Sequence, residues 1–148
     1  MSNFVDIIGE HAKKIGWEAI NQLDETTIVL PFDMGDNRSQ NVIISHYPQE
    51  ESSDFVEITS AVIKMDGFPD GKLGKEMAEK LLRENCSMAL VNWAIDETSE
   101  GAYLVARSGW MLDDLDAEEL EMAVGIVSNV ADNMESSLGV DNFLGRFL

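Results

Sequence analysis

The sequence is poor in the residues from which small catalytic and metal sites are usually built, with one cysteine and two histidines among 148 residues. The lone thiol, Cys86, excludes an internal disulfide, fits a reducing compartment and reads as a small buried hydrophobe at a helix end. His11 and His46 fall on different elements with no cysteine nearby, too few ligands for a zinc site, so both read as surface or satisfied side chains. Bases are scarce too: 10 Lys and Arg stand against 28 Asp and Glu, a formal charge of -18. Without a basic patch, nucleic acid and an anionic membrane surface are disfavoured as direct ligands. No apolar run is long enough to cross a bilayer. At the N-terminus, MSNFVDIIGEHAKK has acids inside the apolar segment and lysines after it, the reverse of a secretory signal. A cytoplasmic protein is expected.

What is present points to a folded chain. A hydrophobic content of 45% excludes disorder, and 148 residues suit one domain over residues 1–148 with a single core. Phe4, Val5, Ile8, Ala12 and Ile15 recur at helical spacing before Gly16, which predicts a helix over 3–15. TTIVLPFD (26–33) and QNVIISHY (40–47) read as a hairpin around a Gly, Asp and Asn turn, and FVEITSAVIKM (55–65) as a third strand. A short strand over 17–22 fits before them. A second helix is predicted over 72–84, with Leu73, Met77, Leu81 and Leu82 on one face, Asn85 as its C-cap and internal salt bridges absorbing its bases. MALVNWAID (88–96) and AYLVARSGWM (102–111) form a second hairpin. The last helix opens at Asp116, with Glu119 completing a capping box, and ends at Gly139.

The last helix carries a stripe of Leu120, Ala123, Val124, Val127, Ala131, Met134 and Leu138. Met122, Ile126 and Val130 widen it beyond a one-sided face, so these three are candidate dimer-interface residues. The tail DNFLGRFL offers Phe143, Leu144, Phe147 and Leu148 to the body or to a partner.

Motifs that could carry chemistry fail on inspection. In DETSEG, oxygen ligands alternate from Asp96 to Glu100, but the twelfth position is Arg107 where calcium needs a bidentate glutamate, and the loop joins two strands. Asp113, Asp114 and Asp116 are explained by capping and the helix dipole. No nucleophile elbow, phosphate loop or metalloprotease motif occurs. No cofactor and no metal are expected, and an unrecognised hydrolase is the residual enzymatic alternative.

The strands are more informative. Ile28, Leu30 and Phe32 alternate with Val29 and Pro31, so both faces are apolar, and three helices should not cover both. The second set includes Val29, Ile43, Tyr47, Phe55, Ile63, Leu90, Tyr103 and Val105; alternation does not say which set meets the helices. Val29, Tyr47, Phe55 and Tyr103 are candidate client-binding residues, and Pro31 marks a strand edge or end that could accept an extended peptide.

The order α-β-β-β-α-β-β-α, an α+β antiparallel sheet with helices, resembles the type III secretion chaperone-like fold, which includes the CesT-type chaperones and the YbjN proteins. Arg38, Ser39 and Gln40 leading into the Val42 to Ile44 strand are YbjN-like, as are Gly101 and Leu104 in the second hairpin and Leu115, Glu118, Glu119 and Leu120 at the last helix. The resemblance implies a small acidic protein that dimerises and holds an extended segment of a client, or a YbjN-like regulator. It brings no catalytic residue. A small-ligand domain using the space between sheet and helices is the alternative of a different class.

Overall fold

The computed structural model describes residues 3–18, 20–51 and 54–139, so the aromatic tail beyond Gly139 lies outside the described residues. Helix α1 (Phe4–Ile15) begins at Asn3, whose side chain accepts the Asp6 amide, and stops at Gly16 in the left-handed conformation. Strands β1 (Asn21–Asp24), β2 (Thr27–Gly35), β3 (Arg38–Tyr47) and β4 (Phe55–Lys64) follow, then α2 (Lys75–Ser87), β5 (Asn92–Thr98), β6 (Gly101–Met111) and α3 (Ala117–Leu138). They form one six-stranded antiparallel sheet in the order β1-β2-β3-β4-β6-β5. The expected α+β order therefore holds, with one short strand added at 21–24, later than the 17–22 segment predicted.

Register decides which alternate set meets the helices. Ile28 faces Ile44 across β2 and β3, Leu30 faces Val42, and Ile44 faces Ile58 on β4. These side chains share one buried cluster with Phe4 and Ile8 of α1 and with Leu120, Val124, Val127 and Ala131 of α3. Ile28, Val42, Ile44, Ile58 and Leu120 are fully buried, and each removes apolar surface worth about 2 kcal/mol from water. These residues fill the space between α3 and the centre of the sheet. At Ala61 to Ile63 the β4–β6 register shifts by one residue, which brings Ile63 into the same cluster and takes it off the other face.

Helix α3 is held at both ends. Asp116 accepts the Glu119 amide at 2.8 Å while the Glu119 carboxylate accepts the Asp116 amide at 3.1 Å, the predicted capping box. Near its C-terminus, Arg38 donates to Asp132 at 2.9 Å and to Glu135 at 3.2 Å, with Glu135 only 2% exposed. Gln40, two residues along β3, accepts the Ser60 hydroxyl at 2.7 Å. Arg38 and Gln40 thus fasten β3 to α3 and β4.

Three local expectations change. The second helix spans Lys75–Ser87, and Asn85 lies inside it. The Asn85 amide pairs with an edge strand instead of capping, accepting the Trp93 N–H at 2.6 Å and donating to the Trp93 carbonyl at 3.1 Å. Strand β5 starts at Asn92, four residues later than predicted, and these bonds tie its second residue to α2. Cys86 is exposed, on the outer side of the helix from buried Leu81.

Candidate functional site

The other alternate set forms a sheet face that contributes nothing to the helix-bearing cluster. On it lie Val29 and Pro31 of β2, Ile43 and Tyr47 of β3, Phe55, Glu57, Thr59 and Ala61 of β4, and Tyr103, Val105, Arg107, Gly109 and Met111 of β6. Its centre is closed by neighbouring strands: Val29 is 1% exposed with Ile43 beside it, and Thr59 is flanked by Ile43 and Arg107. Val29 is therefore a floor residue, which corrects its assignment as a client contact. Pro31 does sit at an edge, since β1 pairs with β2 only over Thr27 to Val29 and leaves the outer side of β2 open beyond it.

Tyr47 and Phe55 are cross-strand partners at the end of β3 and β4, and each is nearly half exposed, 48% and 45%. Phe55 faces Met111 on β6, and Glu57 faces Gly109. Together with Val56, Arg107 and Trp110 these residues line an open depression of about 290 Å³. The Arg107 guanidinium donates to Glu57 at 2.9 Å on its rim. Partial burial raises the Tyr47 hydroxyl pKa, and the carboxylates of Glu57 and Asp96 raise it further against an opposing effect from Arg107. Tyr103 shares this face but lies eight residues from Met111 along β6, opposite Lys64 and Asp96 and half-buried. The structure brings Tyr47 and Phe55 together and leaves Tyr103 at the far end.

Directly behind the depression a polar clip holds the strand ends. His46 pairs with Asp54 at 2.7 Å and stacks on Phe4 with ring centroids 5.0 Å apart. Asp54 also accepts the Gln49 amide at 3.0 Å, while its backbone carbonyl accepts the Leu112 amide at 2.8 Å. The Gln49 and His46 hydrogen bonds hold the Asp54 carboxyl below the usual carboxylate range. Tyr47, Phe55 and Met111 are the chain neighbours of His46, Asp54 and Leu112, so the clip sets the spacing of the exposed apolar side chains.

A second apolar concavity of about 330 Å³ lies between α2 and the outer side of β5, lined by Leu73, Ala78, Leu81, Leu82, Trp93 and Ile95 among others. Leu82 and Ile95 are 68% and 50% exposed. The α3 residues expected at a dimer interface are placed differently: Met122 is exposed, whereas Ile126 and Val130 are half-buried against the core. DETSEG makes the β5–β6 turn, where the Thr98 hydroxyl donates to the Gly101 carbonyl at 2.9 Å.

No protein-family model matches the chain, and no curated protein matches it. Solved structures do. A chain in the crystal structure of the Yersinia pestis type III secretion chaperone SycH in complex with a stable fragment of YscM2 superposes with a TM-score of 0.58 at 15% identity, covering 88% of this chain and 98% of that one. A chain in the structure of the HopA1-SchA chaperone-effector complex gives a TM-score of 0.59 at 11% identity, covering 88% and 91%. At such identities the likeness concerns the fold: the chain has the α+β fold of the type III secretion chaperones.

Proposed function

We propose that the chain is a non-enzymatic protein-binding module that holds an extended segment of a client protein on the helix-free face of its sheet. The observation that carries this reading is the exposed Tyr47–Phe55 pair beside Met111, on a face that no described helix covers. Large exposed apolar groups gathered in one concavity mark contact surfaces, whereas singly scattered ones do not. The fold supports the reading, because both similar structures are complexes of a chaperone with another protein. The charge of -18 suits a basic client and speeds its encounter. Affinity capture from the native lysate tests the proposal with paired baits. A partner retained by the wild-type chain and lost from Phe55→Asp at unchanged melting temperature supports it, while equal recovery by both baits contradicts it.

The homodimer expectation belongs to the same proposal, with its face moved from α3 to α2 and β5. Leu82 projects beside an apolar groove there, a knob and hole that a two-fold axis makes complementary to themselves. Residues 72–84 also hold four of the 10 bases against three acids, a local net charge of +1 in a chain of -18, so two copies repel least at this face. Light scattering after size exclusion should show a dimer that Leu82→Asp dissociates and Met122→Asp leaves intact. The reverse pattern restores α3 as the interface.

A further inference from the structure

Gly109 is the one residue of the candidate face whose side chain is missing where space is available. A Cβ built there meets no atom within 4 Å, and the residue is exposed in the middle of β6. Its φ is not positive, so the backbone has no need of glycine. Glycine weakens a strand, and inside a strand it often marks a place where a ligand or another backbone approaches closely. Two concavities meet there. The Tyr47–Phe55 depression ends on Gly109, and a second one of about 390 Å³, lined by Met88, Leu90, Asn92 and their neighbours, shares Arg107, Gly109 and Trp110 with it. The second exists because β5 pairs with β6 only as far as Asn92 opposite Arg107, so that residues 108–111 of β6 have no strand partner on that side among the described residues. Leu90, 40% exposed, borders this gap as Tyr47 and Phe55 border the first.

We infer that an extended client segment crosses the sheet at Gly109, setting one bulky apolar side chain between Tyr47, Phe55 and Met111 and another against Leu90, with lysine or arginine between them. This rests on the client-binding reading above and names the path and the chemistry of the occupant. Backbone passes over a glycine where any side chain would block it, and the two depressions on either side take alternate side chains of an extended chain. The side chain between those two projects away from the sheet, and the net charge of -18 favours lysine or arginine there; Glu57, opposite Gly109, is already paired to Arg107. An acidic segment would meet the field of the whole chain unfavourably.

The test uses the full chain and two fluorescein-labelled peptides, one alternating leucine with lysine and one alternating leucine with glutamate, read by fluorescence anisotropy. The lysine peptide should bind the wild-type chain more tightly; a preference for the glutamate peptide overturns the charge assignment. Gly109→Val, a β-branched residue in a strand, should keep or raise the melting temperature while weakening the lysine peptide about tenfold. Should that variant fold poorly, Gly109→Ala and Leu90→Asp take its place, and both must weaken binding at wild-type stability. Wild-type affinity in the Gly109 and Leu90 variants, with loss in Phe55→Asp, overturns the crossing and leaves the face reading intact. Equal binding to wild type and Phe55→Asp, or no binding of either peptide to the wild-type chain, overturns both.

Discussion

The two faces of the sheet are made by the same strands, residue by residue in alternation, yet they are built to different ends. On the helix-bearing face Ile28, Leu30, Val42, Ile44, Val56 and Ile58 are at most 1% exposed, and α1 and α3 pack into them. On the other face only the central floor is closed, and the rim keeps Tyr47 and Phe55 nearly half exposed with Gly109 bare between charged neighbours. One face therefore carries most of the apolar burial that opposes chain entropy. The other is free to carry apolar groups that folding does not need, which is what the proposed client-binding role requires of it.

Substitutions separate the two faces most sharply at matched strand positions. Ile58→Ala should destabilise the fold by about 2–5 kcal/mol in urea or guanidinium titrations, because a fully buried side chain leaves a cavity against α3. Phe55→Ala, three residues away, should cost about 1 kcal/mol or less and be felt in client binding instead. A cost at Phe55 equal to that at Ile58 would merge the faces into one core. Arg38→Ala should cost about 1–3 kcal/mol, since it removes the guanidinium that donates to both Asp132 and Glu135 near the C-terminal end of α3. Arg38→Met with Glu135→Leu should recover part of that loss.

The smallest effect concerns the clip between the faces. Because the folded state holds the Asp54 carboxyl below its usual range, the clip's contribution is fully present above the unfolded value and is lost as pH falls through the folded one, below about pH 4. Hydrogen exchange should show the Gln49 amide protected at neutral pH, less so in Asp54→Ala, with wild type and variant converging in acid. Unchanged protection in the variant would mean that the strand ends are spaced by backbone pairing alone.

Much of this architecture was legible because it is local. The capping box of α3 is a three-residue spacing, and its stripe of Leu120, Val124, Val127 and Ala131 follows from helical periodicity. The strand alternation announced two apolar faces but not which one the helices would take, since Ile28 and Val29 are chemically alike and only packing tells them apart. Asn85 looked like a helix cap because its true partner, Trp93, is reached only after the chain turns back along α2. Cys86 looked buried by residue type, and the helix phase turns it outward. Arg38 and Gln40 stood out in sequence, and their anchoring to α3 and β4 needed the fold. Gly109 carries a sequence signal of its own, a glycine in the middle of the strand pattern AYLVARSGWM.

Whether the helix-free face is the binding face is read by mapping amide chemical shifts of the labelled chain during titration with the leucine–lysine peptide. The account predicts shifts clustered at 45–47, 55–59 and 107–111, with Gly109 among the largest and the exposed side of α3 unmoved. Shifts gathered on α3, or spread evenly over the acidic surface without a cluster on these strands, would contradict it.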